Sequence, residues 1–162
     1  MDILSHPNPA LKQRAQDIDP TTDAGLMPLI KAMAKAMYDG PGIGLAATQV
    51  GVQKRVIVFD LDDGLIALCN PTIAETSAET VLEDEGCLSL PGITVPVERP
   101  VHCVCEAVDL RGNPFRMEAE GLLARLLQHE VDHLDGLLII DRATPDERRA
   151  ALRRYREENE KP

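Results

Sequence analysis

The chain has 162 residues, enough for one domain with a sizeable core, and 44% are hydrophobic while only 2% are aromatic, so Leu, Ile, Val, Ala and Met must fill that core. A formal net charge of -10 argues against a broad or sequence-specific nucleic-acid-binding surface, and no apolar run reaches the roughly 20 residues needed to span a bilayer. The N-terminal stretch from Met1 to Gln16 lacks the basic start and apolar run of a secretory signal, so a cytoplasmic location is expected.

From Asp23 to Asp39, Leu26, Leu29, Ile30, Met33 and Met37 recur at helical spacing and predict a helix ended by Asp39-Gly40-Pro41-Gly42. A glycine-containing turn then leads into GIGLAATQVG. Residues 55–61 and 65–70 flank Asp62-Asp63-Gly64, a hairpin signal, and residues 101–110 and 114–119 flank Arg111-Gly112-Asn113, a second one. A helix is expected from about Glu120 to Leu134, with Gly136 as its terminator. Leu137-Leu138-Ile139-Ile140 reads as a short buried strand. Thr144 is an N-cap and Pro145 the first residue of a charged helix over about 145–159. Strands run together ahead of the 120–134 helix, so the class is α+β, with one domain over 1–162.

The most informative stretch is Gln128-His129-Glu130-Val131-Asp132-His133. On a helix His129 and His133 share one face and can bind one metal ion, while Glu130 beside them can move protons for a metal-bound water. Two imidazoles leave a metal short of ligands, so a third must come from elsewhere. Cys103 and Cys105 alternate along an apolar strand, and Cys69 lies in another; all three read as core. Cys87 stands apart, among small and polar residues in EGCLSLPG, and is the leading third ligand. A thiolate with two imidazoles leaves one tetrahedral position open, as a catalytic site needs. From spacing alone, a free thiol unrelated to the metal is equally admissible, and the histidine motif by itself points most readily to a zinc peptidase.

Three segments together resemble the signature motifs of peptide deformylases: Gly42-Ile43-Gly44-Leu45-Ala46-Ala47-Thr48-Gln49, then Glu85-Gly86-Cys87-Leu88-Ser89, then Gln128-His129-Glu130-Val131-Asp132-His133-Leu134 followed by Asp135-Gly136. They occur in the family's order, and the resemblance covers nearly the whole chain, which implies antiparallel strands packed around the central helix that carries His129 and His133, with N-terminal and C-terminal helices. It implies a divalent metal held by Cys87, His129 and His133, with Fe(II) common in the cell and zinc, nickel or cobalt accepted in its place. It implies removal of the formyl group from N-formylmethionine on new polypeptides, with Glu130 passing the water proton to the leaving amine. The side-chain amide of Gln49 and the backbone N–H of Leu88 would stabilise the oxyanion. Backbone around Ile43 and Gly44 would pair with the substrate peptide, as in strand addition.

Leu122 and Leu126, on the helical face of His129, and Ile43 are candidate walls for the methionine side chain; ordinary core packing is the competing reading. Arg125 shares that face and has two outlets, solvent or a carboxylate such as Glu83. The family pattern pairs Asp132 with Arg99. His6 and His102 have no ligand-like partners and carry no expected function. Thr94 stands where some relatives place a basic residue. Arg149, Arg153 and Arg156 form a basic stripe, either a ribosome-docking surface or a solvated face with intrahelical pairs. The competing functions are a metallopeptidase cutting internal bonds and an inactive, ribosome-associated relative.

Overall fold

Antiparallel pairing joins every strand of the computed structural model, which describes residues 1–160. The last two positions of the domain expected over 1–162 lie outside the described residues. Helix α1 spans Leu26–Asp39 and is followed by strands β1 (Gly44–Ala46), β2 (Val56–Phe59), β3 (Ile66–Thr76), β4 (Thr80–Gly86), β5 (Thr94–Pro100), β6 (His102–Val108) and β7 (Pro114–Glu120). Helices α2 (Gly121–Leu134), α3 (Ile139–Arg142) and α4 (Pro145–Asn159) complete the chain. Five strands form one sheet in the order β1-β2-β3-β6-β7, and β4 and β5 form a separate two-stranded ribbon between β3 and β6 in sequence.

Both expected hairpins form, each around an aspartate that accepts from its own turn. Asp60 Oδ1 accepts from Asp62 N at 2.8 Å, and Asp109 Oδ1 accepts from Arg111 N and Asn113 N, each at 2.9 Å. Gly64 and Gly112 supply the positive φ angles these turns need, 102° and 82°.

The sheet lies between two helices because β2 alternates. Val56 and Val58 pack with Leu26, Leu29, Ile30, Met33 and Met37 of α1. Ile57 and Phe59, pointing the other way, pack with Ala124, Leu127 and Leu134 of α2. Cys103 and Cys105 face the α2 side and Cys69 the α1 side, all buried as expected. Burial pushes the Cys105 thiol up to about 12, which leaves it inert. A third cluster joins Val95 and Val97 of β5 to Leu138, Ile139 and Ile140 and to Ala151 and Tyr155 of α4.

Three local outcomes differ from the sequence expectation. Residues 137–140 are not a strand: Leu137 and Leu138 are irregular, and Ile139 opens α3. The Asp141 carboxylate accepts from Leu138 N at 2.8 Å and turns the chain there, while three of the four apolar side chains are buried regardless. Helix α1 starts at Leu26 because Asp23 accepts from Gly25 N and pairs with Lys54 ahead of it. The β4–β5 ribbon has no strong apolar alternation to announce β4, five of whose first six residues are exposed. Thr144 caps α4 as expected, accepting from Glu147 N with Pro145 next. No helix among the described residues is long and apolar enough to cross a membrane.

Candidate metal centre and active site

Helix α2 carries His129 and His133 one turn apart, and their Nε2 atoms face each other at 3.1 Å. The chain leaves β4 at Gly86, and the next residue brings Cys87 Sγ to 3.4 Å from His133 Nε2. A tight turn holds the thiol there, with Leu90 N donating to Cys87 O at 2.9 Å and Ser89 N to Sγ at 3.4 Å. The three donor atoms lie within 4.8 Å of one another. Tetrahedral bonds of about 2.0 Å to nitrogen and 2.3 Å to sulfur set donors about 3.3–3.6 Å apart, close to what is found here. The electrostatics fit a cation as well. Burial disfavours charge on His129, yet Glu130, Cys87 and Glu85 drive its pKa well above the ordinary imidazole value. Burial, and then His129 itself, drive His133 well below it. The facing nitrogens cannot both carry protons, and the Glu85 carboxylate adds negative charge beside them.

Glu85 sets the orientation of His129. Its Oε1 meets His129 Nδ1 at 2.9 Å, which leaves the Nε2 lone pair free to face the centre. Glu85 is itself buried, and Arg99 grips it through Nε at 2.6 Å and a terminal nitrogen at 3.0 Å. Burial raises its pKa, but His129 and Arg99 outweigh that and hold the carboxyl at about 2. Arg99 also donates to Asp132 Oδ2 at 2.8 Å, as the family pattern implies, and Arg142 of α3 clasps the same carboxylate at 3.0 and 2.8 Å.

Glu130 has the opposite surroundings. Its Oε1 is buried without a hydrogen-bond partner, and burial pushes the carboxyl up to about 7. Gly44 lets the other oxygen approach: a Cβ there would sit 2.5 Å from Glu130 Oε2. Gln49 lies in the 3-10 turn Ala47–Val50 rather than at a strand start. Its Oε1 accepts from Ala46 N at 3.0 Å, which aims Nε2 at Ser89 Oγ, 3.1 Å away, and at Cys87 Sγ, 3.7 Å away.

These groups open on one cavity of about 590 Å³. Ile43, Gly44, Gln49, Cys87 and Leu88 line it from the β1 and β4 sides, and Leu122, Leu126, His129 and Glu130 from α2. Leu126 is buried in its wall, whereas Leu122 and Ile43, 58% and 46% exposed, sit at the mouth. Every site residue expected from the sequence lines the cavity except His133, which is 1% exposed behind it. His6 packs on Tyr155 and His102 pairs with Glu120 at 3.4 Å; neither lines the cavity. Sequence reasoning assigned no role to Glu85, although it opens the second motif and alternates with Cys87 along the chain. Arg125 turns inward to Glu85 and Glu83, which resolves its two outlets. On α4, Arg149 pairs with Asp146, Arg148 with Asp141 at 2.8 Å, and Arg154 donates to Thr94 O at 3.0 Å.

The polypeptide deformylase family profile matches residues 1–149. A peptide deformylase of Thermodesulfovibrio yellowstonii is 42% identical over 161 residues, covering 96% of each chain. That of Dictyoglomus thermophilum is 48% identical over 139 residues, covering 86% of this chain and 90% of the relative. Among solved structures, a peptide deformylase from Legionella pneumophila superposes with a TM-score of 0.89 at 38% identity, covering 99% of this chain and 98% of the other. One from Synechococcus elongatus in complex with actinonin gives 0.89 at 40% identity, covering 96% and 85%. With the motif order, the site geometry and these likenesses in agreement, the chain belongs to the polypeptide deformylase family.

Proposed function

We propose that the protein removes the N-formyl group from formylmethionine at the start of new polypeptides, releasing formate, with Cys87, His129 and His133 holding the metal and Glu130 carrying the proton. The observation that carries this reading is the convergence of one thiol and two imidazole nitrogens beside a buried, unpartnered carboxyl at an open cavity. Fe(II) is the proposed metal in the cell, with Zn(II), Ni(II) or Co(II) as alternatives, because one soft thiolate and two imidazoles suit all of them. When bound, the cation supplies Lewis-acid activation of water and of the formyl oxygen.

The remaining chemistry belongs to the chain. A carboxyl at about 7 is poised both to take a proton and to return it near neutral pH. Glu130 accepts the proton of the attacking water and delivers it to the amine as the formamide C–N bond breaks. Without that delivery the amine is a poor leaving group. Gln49 Nε2 and Leu88 N–H donate to the developing oxyanion, and the Ala46 N–H fixes the amide of Gln49 beforehand. β1 is an edge strand, so the backbone at Ile43 and Gly44 can pair with an extended peptide whatever its sequence. Leu126, with Leu122 and Ile43 at the mouth, receives the methionine side chain. The proposal includes a cytoplasmic location beside translation and a ribosome contact through Arg149, Arg153 and Arg156. Internal peptide cleavage and an inactive relative are not favoured.

The direct test loads the protein with Fe(II) without oxygen and follows formate release from a short formyl-Met peptide. Metal bound with no formate produced would overturn the proposal.

A further inference from the structure

The ribbon β4–β5 is not hydrogen-bonded into the five-stranded sheet, yet Cys87 follows directly from its first strand. The two histidines ride on α2. The distance between thiol and imidazoles therefore depends on side chains that fasten the ribbon to the helix. Arg125 is one of them, and its side chain is only 8% exposed. Standing four residues before His129, it projects from the same helical face. One terminal nitrogen donates to Glu85 Oε2 and also to Val97 O of β5 at 2.9 Å. The other donates to Val81 O of β4 at 2.8 Å, and Nε lies 3.5 Å from Glu83 Oε2. Arg125 also lines the cavity beside Leu122 and Leu126.

We infer that Arg125 is a positioning residue with two separable effects: its charge holds Glu85 against His129, and its fork sets the width of the substrate cleft by pinning both ribbon strands to α2. The charge acts on the metal site through Glu85. The fork acts on substrate, because moving the ribbon moves Leu88 and Gly86 on one side of the cavity relative to Leu122 and Leu126 on the other. A planar guanidinium can serve a carboxylate and two carbonyls on different strands at once; a lysine ammonium supplies the charge without that reach. The second effect rests on the deformylase reading, whereas the first does not.

The test compares Arg125→Lys and Arg125→Met with the parent, each loaded with Co(II). Two readouts are followed: loss of the thiolate–cobalt absorption to a chelator, and kcat and KM on a formyl-Met tripeptide. Arg125→Lys is expected to release cobalt at near the parent rate while KM rises several-fold. Arg125→Met is expected to release metal roughly 10- to 100-fold faster as well, the usual range when a group supporting a ligand is lost. A general loss of stability would not separate the two readouts in this way. Parent cobalt release together with parent KM in Arg125→Met overturns the inference. If Arg125→Met does not fold, the KM of Arg125→Lys decides the effect of the fork, a raised value supporting it and a parent value overturning it, and the rate of cobalt loss from Arg125→Ala decides the effect of the charge. If the parent itself releases no formate, the deformylase reading fails, and the role toward Glu85 still stands or falls on the rate of cobalt loss from Arg125→Met or, should that not fold, Arg125→Ala.

Discussion

Two carboxylates two residues apart on α2, Glu130 and Asp132, are both nearly buried, at 4% and 7% exposure, and meet opposite fates. Asp132 faces Arg99 and Arg142 and takes three donor contacts of 2.8–3.0 Å. Glu130 faces the cavity with one oxygen unpartnered, and its pKa climbs to about 7. A satisfied buried ion cluster holds position, and removing one of its partners is costly. An unsatisfied buried carboxyl is costly to keep, and its proton exchanges near neutral pH. The helix thus presents a fastened carboxylate on one side and an unpartnered one on the other.

The sharpest way to break this comparison is Glu130→Gln. Turnover should fall by about 10²–10⁴-fold, the range for losing a general acid–base group, with metal retained and thermal stability undiminished. Turnover within a few-fold of the parent would mean that another group moves the proton. Cys87→Ala is the companion: it should lose tight metal binding, and activity with it, which metal analysis after dialysis reads directly.

Asp132→Ala should do the reverse of Glu130→Gln. Removing one partner from a cluster in which Asp132 and Arg99 are both buried should destabilise the fold by about 3 kcal/mol, a drop in Tm of roughly 6–12 °C. The kcat per bound metal should change much less. Equal losses of stability in the two variants would erase the distinction between the faces.

Acid titration of the metal-free protein sharpens the contrast through Glu85. Its pKa of about 2 lies below the ordinary 4.5, so its stabilisation is complete above pH 4.5 and is lost as pH falls toward 2. Glu130 has the opposite sign. Folded protein holds its proton up to about 7 while the unfolded chain releases it at 4.5, so stability declines as pH rises across that window. Each limb is worth about 3 kcal/mol at most. Denaturant midpoints from pH 3 to 8 should show both limbs, and Glu130→Gln should flatten only the upper one. An unchanged upper limb would assign it to a different group.

The smallest expected effect lies far from either face. Changing Arg149, Arg153 and Arg156 to Glu should reduce co-sedimentation with ribosomes several-fold at low salt, and less as salt screens the contact. Unchanged pelleting removes the docking idea. Arg149 already pairs with Asp146, so Arg153 and Arg156 should carry more of the loss.

Much of this site was legible before any fold was known, for local reasons. His129 and His133 are neighbours in any α-helix, and Glu130 travels with them. The turns at Asp62-Asp63-Gly64 and Arg111-Gly112-Asn113 carry their own acceptors and positive-φ glycines. The meeting of Cys87 with the two imidazoles was not local: spacing left it open, and only three motifs in family order pointed to it. Residues 137–140 show the limit, because a short apolar run suits a buried strand and a buried helical turn equally well. Asp141, capping Leu138, tipped it toward the turn.

By itself the sequence determined the chemical inventory: an α+β chain of one family, two imidazoles one helical turn apart, a cysteine in a small polar turn and a carboxylate beside the imidazoles. Only the tertiary structure decided which carboxylates are held by arginines and which faces the cavity with an unpartnered oxygen. Glu85, Glu130 and Asp132 are one chemical type along the chain. Their partners follow from which charged groups the packing leaves around each. That depends on where the β4–β5 ribbon and α3 lie against α2, a long-range outcome that no local pattern encodes.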